Sequence, residues 1–254
     1  MISLAGKAAL VTGGSRGIGA ATVRLFARAG ADVVFNFHRN REAATQLEQE
    51  TRKHGTRIES MKADVGKTAD SKKLVDFARE RLGRLDILVA NAGIWNHEDA
   101  PIENLSEKDW DEMIRVNLKS VYATVHSAVP HMIAQGGGRI VAVSSVAAQR
   151  GTAFHSHYSA TKGAIISFAK ALASELARHN ILVNCVAPGV VATDTWKSAE
   201  KNSSKMKAML AAYPLKRAAT PEEVAGPILF AVSDLATFVT GEVININGGS
   251  FNCG

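Results

Sequence analysis

Near-continuous apolar runs alternate with helical patterns along the whole chain, and this alternation leaves few architectures open. Lys7–Thr12, Asp32–Phe37, Arg57–Lys62, Asp86–Ala90, Arg139–Ser144, Ile181–Ala187 and Glu242–Asn247 read as strands. Ile18–Ala29, Arg41–His54, Thr68–Leu82, Ser106–Ala134 and His157–His179 read as helices between them. Gly30, Gly55 and Gly83 stand where the first three helices should stop. Ser106 suits an N-cap, with Asp109 three residues on. Gly136-Gly137-Gly138 breaks the long stretch that follows. A strand that is apolar throughout has to be covered on both faces, as parallel sheets are. The expectation is an α/β fold: a single doubly wound Rossmann domain over residues 1–254, with a seven-stranded, mostly parallel sheet and helices on both faces.

Composition closes off other classes. A chain of 254 residues buries a full core without disulfide or metal staples. With 46% hydrophobic and 21% charged residues, it is not a disordered chain. Its two cysteines, Cys185 and Cys253, cannot build a disulfide framework, which suits a reducing compartment. No apolar run approaches the ~20 residues that cross a membrane. No signal peptide is expected, because a strand pattern begins at Lys7, and a cytoplasmic location follows as an expectation. Lys and Arg (30) outnumber Asp and Glu (24), for a net charge of +6. These cations are scattered, as at Arg39–Arg41, Arg52–Lys53 and Lys72–Lys73, so no nucleic-acid partner is expected. A small anionic ligand accounts for the excess.

Thr12-Gly13-Gly14-Ser15-Arg16-Gly17-Ile18-Gly19 lies where the first strand meets the first helix. Glycines there let the backbone turn tightly and approach a pyrophosphate, while the helix N-terminus offers free N–H groups and a partial positive charge. The spacing differs from the common dinucleotide fingerprint, and a ligand-free glycine turn is the alternative. Its place after a strand argues against that alternative. The second strand ends in Phe37, His38 and Arg39, with no carboxylate to hold a ribose 2′-hydroxyl. Arg39 and Arg16 suit a 2′-phosphate instead. The expected cofactor is NADP(H), with NAD(H) left open.

Tyr158 and Lys162 stand one turn apart on one helix face. Ser144 and Ser145 end the fifth strand, at the edge where open α/β sheets bind ligands. His155 and His157 flank this region without an acidic or cysteine partner at metal-ligand spacing, so no metal is expected. Cys185, inside an apolar strand, reads as a small buried hydrophobe.

Taken in order, the glycine motif, Asp64-Val65, Ala90-Asn91-Ala92-Gly93, Asn117, Ser145, Tyr158-x-x-x-Lys162 and Pro188-Gly189-Val190-Val191-Ala192-Thr193 resemble the short-chain dehydrogenase/reductase family. The likeness runs from the first strand to Asn247-Gly248-Gly249. It is strongest to 3-oxoacyl-carrier-protein reductases and the sugar and alcohol dehydrogenases near them. The resemblance implies a catalytic set of Asn117, Ser145, Tyr158 and Lys162. Ser145, thirteen residues before Tyr158, is preferred over Ser144 on that spacing. Tyr158 would give a proton to the developing alkoxide, its phenolate, from a pKa of about 10, favoured by a nearby Lys⁺ and the positive charge of the oxidised nicotinamide. Ser145 would stabilise charge on the carbonyl oxygen. Lys162 would also hold the nicotinamide ribose, and Asn117 would join Lys162 to solvent through water. The implied cofactor contacts are Gly13, Ser15, Arg16, Gly17, Ile18, Gly19, His38, Arg39, Tyr158 and Lys162. With them stand Asp64 and Val65 at the adenine, Asn91, Ala92 and Gly93 at a ribose, and Pro188, Gly189, Val191 and Thr193 at the nicotinamide. Asn91 as a structural hydrogen-bonder and Asp64 as a loop cap are the alternative readings.

The resemblance implies a small carbonyl or alcohol as substrate, with an acyl-carrier-protein thioester as one candidate. The residues leave three functions open: an NADP(H)-dependent ketoreductase, a sugar or secondary-alcohol dehydrogenase such as one acting on glucose, and a catalytically silent cofactor sensor. A lid over the substrate is expected at about 194–213, with Trp196, Met206, Met209, Leu210 and Tyr213 among lysines. Trp95, His97 and Arg150 are candidates for the pocket rim. The resemblance implies a homotetramer. Val121, Val125, Ala128, Ile165, Phe168, Ala169 and Leu172 are expected on the outer faces of the two long helices.

Overall fold

The computed structural model describes residues 2–96, 98–193, 208, 210, 211 and 213–252. Seven strands form one sheet: β1 (Ala8–Val11), β2 (Asp32–Phe37), β3 (Ile58–Lys62), β4 (Ile87–Ala90), β5 (Gly138–Val143), β6 (Ile181–Pro188) and β7 (Val243–Ile246). Their order is β3-β2-β1-β4-β5-β6-β7, and every pairing is parallel. The central strands are buried end to end, as runs such as Ala-Ala-Leu-Val require. Register keeps them level: Val11 lies opposite Phe35 on one side and Val89 on the other.

Helices cover both faces. On one lie α1 (Gly17–Arg28) and α2 (Arg41–Thr51), whose Val23, Phe26, Ala44 and Leu47 join Val33, Phe35 and Val141 in one core. On the other lie α3 (Thr68–Leu82) and the two long helices, with Leu74, Val125, Met132 and Ile165 packed on Leu10, Leu88 and Ile140. Ser106 caps the first long helix, its Oγ accepting from Asp109 N–H at 3.1 Å. That helix is α4 (Glu107–Met113), a wide π turn over Ile114–Lys119, and α5 (Ser120–Ala134). After a short α6 (Ala147–Arg150) comes the second long helix, α7 (Ser156–Leu176). No helix among the described residues is long and apolar enough to cross a membrane.

The structure adds an element that the alternation of apolar runs does not show, α8 (Pro221–Val232). It packs against α1 and completes that face. A signal for it was present. Thr220 and Glu223 form a capping box, with Thr220 Oγ1 accepting Glu223 N–H at 3.2 Å and Glu223 Oε2 accepting Thr220 N–H at 2.8 Å. Pro221 follows at the first helical position.

The reading of the outer helix faces is corrected. Val121, Val125, Ala128, Ile165 and Ala169 are buried against the sheet, and Phe168 and Leu172 pack partly on the same core. The large side chains that α4 and α5 expose are Trp110, Tyr122 and Ile133. The expected lid falls mostly on 194–207, outside the described residues; so do His97 and Cys253.

Candidate active site

Strand order reverses between β1 and β4, so a crevice opens at their carboxyl ends. Asn91, just past β4, spans it, its Nδ2 donating to Thr12 O at 2.9 Å and Gly13 O at 3.2 Å. Thr12 Oγ1 accepts the Asn91 and Ala92 N–H groups at 2.9 and 3.0 Å. From the other side Asn36 Oδ1 accepts Gly13 N–H at 2.8 Å, and its Nδ2 donates to Ala63 O. The glycine loop is thus pinned from both neighbouring strands. Gly13 has φ +64°, and a Cβ on Gly19 would fall 2.2 Å from the Gly13 carbonyl oxygen. Only glycine at 19 lets the helix start so close to the turn.

α1 then begins with no side-chain cap and no acid in its first turn. Its first N–H groups and the positive end of its dipole are left to an anion. Ser15, Arg16, Gly17 and Thr193 line a groove of about 460 Å³ there, while Ile18 packs into the core. Pro188, Gly189 and Val191 carry the chain from β6 to Thr193. Pro188 O accepts Val146 N–H, Gly189 N–H donates to Ile246 O, and Val191 bridges to Ala219. The residues present fit the pyrophosphate of a dinucleotide.

His38 and Arg39 are exposed at the end of β2. Beyond them, Asp64 is already occupied. Arg115 Nη1 donates to both of its carboxylate oxygens, at 3.1 and 2.9 Å, while Nε and Nη2 of the same guanidinium hold Glu112. Burial pushes the Asp64 carboxyl up, but the hydrogen bonds and charge of Arg115 outweigh it and hold the pKa below the ordinary value. Asp64 also caps its loop, accepting Gly66 N–H, and the Val65 side chain is buried in the core. The side chains of this pair, expected at an adenine, serve first as a structural corner. Arg115 was missed because nothing in its sequence neighbourhood points to a carboxylate fifty-one residues away.

At the end of β5 the two adjacent serines part ways. Ser144 Oγ donates to the Lys162 carbonyl at 2.8 Å and docks α7 on the strand end. Ser145 Oγ accepts Ala147 N–H at 3.1 Å and lies beside the Tyr158 hydroxyl, whose pKa it lowers. Lys162 Nζ, on the next turn, donates to Val143 O at 2.8 Å. Gly93 forms the floor: a Cβ there would lie 3.2 Å from Asn117 Oδ1 and 3.5 Å from Lys162 Nζ. Asn117, fully buried in the π turn, grips the chain after β4, Oδ1 accepting Ile94 N–H at 2.7 Å and Nδ2 donating to Ile94 O at 3.0 Å. Its amide thereby fixes the chain that leads from β4 to Trp95. π turns recur at functional sites; this one aims an asparagine at the floor.

Burial dominates the electrostatics of this cluster. It pushes the Tyr158 phenol above its ordinary pKa, with the Ser145 hydrogen bond pulling the other way. It draws Lys162 down to about 8. Lys162 Nζ is turned to Val143 O, and burial is the largest influence on the phenol. A phenol kept protonated at neutral pH is suited to giving a proton to an alkoxide. Beside it, Trp95 packs edge-on against Tyr158. His157 points away, buried with neither ring nitrogen hydrogen-bonded; burial, then the neighbouring His155, lowers its pKa. Cys185 is buried in β6, its thiol pushed up to about 12 by desolvation, which makes it inert.

Known proteins place this arrangement. The family model described as Enoyl-(Acyl carrier protein) reductase matches residues 13–250. The 3-oxoacyl-[acyl-carrier-protein] reductase of Thermotoga maritima is 41% identical over 247 residues, covering 97% of this chain and 98% of that protein. The enzyme of the same name from Chlamydia pneumoniae is 39% identical over 248 residues, 98% of each. Among solved structures, a short chain dehydrogenase from Burkholderia cenocepacia in complex with NADP superposes with a TM-score of 0.89 at 33% identity, over 97% of this chain and 98% of that one. With the all-parallel sheet, the reversal point between β1 and β4 and near-complete coverage of these relatives, the chain belongs to the short-chain dehydrogenase/reductase family.

Proposed function

We propose that this protein is an NADP(H)-dependent oxidoreductase that reduces a ketone to a secondary alcohol, its physiological substrate a 3-oxoacyl thioester on an acyl carrier protein. The observation that carries the reading is Ser145 beside the Tyr158 phenol with Lys162 on the next turn, set in the crevice beside an anion-ready loop. The names of the relatives support the substrate class, and the neighbour bound to NADP supports the cofactor.

A bound reduced nicotinamide supplies the hydride. The glycine loop and the start of α1 would hold its phosphates, and Arg16 and Arg39 would meet the 2′-phosphate. Ser145 and Tyr158 donate hydrogen bonds to the substrate oxygen, which fixes the carbonyl carbon and stabilises charge as it develops. Tyr158 then gives up its proton. Lys162 binds the ribose and, as a cation, limits the cost of the phenolate left behind.

The test is nucleotide oxidation by the purified protein across β-keto thioesters, quinones, sugars and alcohols, with both nucleotides titrated by fluorescence. β-Keto thioesters should be reduced fastest. NADPH should bind at least about fivefold tighter than NADH, the worth of one screened ion pair of about 1 kcal/mol. Fastest turnover in the oxidative direction on glucose or another alcohol would favour the dehydrogenase reading, and no turnover on any substrate the silent sensor. The protein acts in the cytoplasm as a homotetramer, a reading supported by the family resemblance and by exposed Trp110, Tyr122 and Ile133 on the α4–α5 helix. A monomer mass by light scattering at micromolar concentration would refute the tetramer.

A further inference from the structure

We infer that Trp95 is a positioning residue for Tyr158, held edge-on against the phenol ring by a latch at Phe154; the inference rests on Tyr158 being the proton donor. The Trp95 indole lies 4.5 Å from the Tyr158 ring centroid at an interplanar angle of 86°, and 4.0 Å from the His155 ring at 63°. Edge-to-face contact sets the electropositive rim of one ring against the face of another and fixes their mutual angle. α7 sets the Tyr158 backbone, Ser145 lies beside the hydroxyl, and Trp95 bears on the ring between them.

Trp95 lies outside any helix or strand, so its ring has to be held by contacts. The Phe154 carbonyl accepts from Ala100 N–H, at 3.0 Å, and from His155 Nδ1–H. A carbonyl can only accept, so His155 carries its proton on Nδ1. One acceptor thereby ties Ala100 to the turn that opens α7 and fixes the His155 ring, against which Trp95 packs. To face both donors, Phe154 takes φ +64°, a conformation unfavourable for a residue with a Cβ. Its own side chain is 52% exposed, so packing of that ring does not account for the strain. The two hydrogen bonds do, and backbone strain held in this way clusters at active sites.

The test compares Trp95→Ala and Trp95→Phe with wild type on the fastest substrate of the panel. Trp95→Ala should lose about ten- to a hundredfold in kcat, the scale of a misplaced catalytic group. KM and the nucleotide Kd should stay within about threefold. The alkaline limb of the kcat–pH profile should move to lower pH, because water reaches a phenol that burial had pushed up, with Ser145, Lys162 and His155 the polar groups around it. Trp95→Phe keeps an aromatic edge and should recover kcat to within about threefold and restore the limb. An unchanged kcat, a loss confined to KM, or a Phe variant as slow as the Ala variant would overturn the inference. If Trp95→Ala does not fold, Trp95→Leu fills the space without an aromatic edge and carries the same expectation. A wild type that reduces no carbonyl overturns the functional reading, and this inference with it, before any variant is made.

Discussion

Tyr158→Phe retains the fold and binds nucleotide, yet loses nearly all turnover. The change removes one hydroxyl and leaves the ring, so the edge-to-face contact with Trp95 and the packing around it stay in place. Two things are lost: the proton donor to the alkoxide, and the hydroxyl beside Ser145. General acid catalysis of this kind is worth about 10²–10⁴-fold. Single-turnover hydride transfer, measured beside nucleotide affinity, checks this. A variant with more than about a tenth of the wild-type rate would contradict the assignment, since such a loss is below the usual range for the role.

Lys162→Met also abolishes turnover, by at least about a hundredfold, and it weakens nucleotide binding as well, because the ribose contact goes with the cation. Its stability has a separate signature. The Lys162 pKa in the folded protein is about 8, below its ordinary 10.5, because burial disfavours the ammonium. Between those values the unfolded chain binds the proton more readily than the folded one. Wild-type stability therefore falls as pH drops from about 10.5 to about 8, then levels off. Methionine has no such titration. The melting temperature of the variant relative to wild type should rise over the same window, while the lost hydrogen bond to Val143 O shifts the whole curve equally. Parallel melting curves from pH 8 to pH 10.5 would show that the ammonium is not desolvated.

Much of the site was legible because local rules carry it. Glycines after the first strand, a phenol and an amine one turn apart, and a serine at a strand end each follow from what a turn, a helix or a sheet edge does with those residue types. Contacts made across the sheet were not legible. Asn36 reads as one polar residue in an apolar strand; in the structure it supports the Gly13 turn. Arg115 lies on the helix after the floor residues and neutralises Asp64 from the far side of the crevice. Ser144 and Ser145 are chemically identical neighbours, and only the docking of α7 gives one to a backbone carbonyl and the other to the phenol.

The same division governs the fold. The alternation of apolar runs and helical stretches determined a covered parallel sheet, since a strand apolar on both faces has no other stable setting. Periodicity could not say which side of a long helix looks outward when both sides carry alanine and valine; packing decided that, and placed Val121, Val125 and Ala169 against the sheet. Nor could it show α8, whose capping box marks a helix start but whose hydrophobic face has meaning only against α1. The acid–base balance of the site belongs to tertiary structure too. The residue types and their spacing are written in the sequence. The burial that raises Tyr158 and lowers Lys162 exists only once α7 closes over the ends of the strands, because desolvation is a property of the assembled surroundings rather than of the side chain.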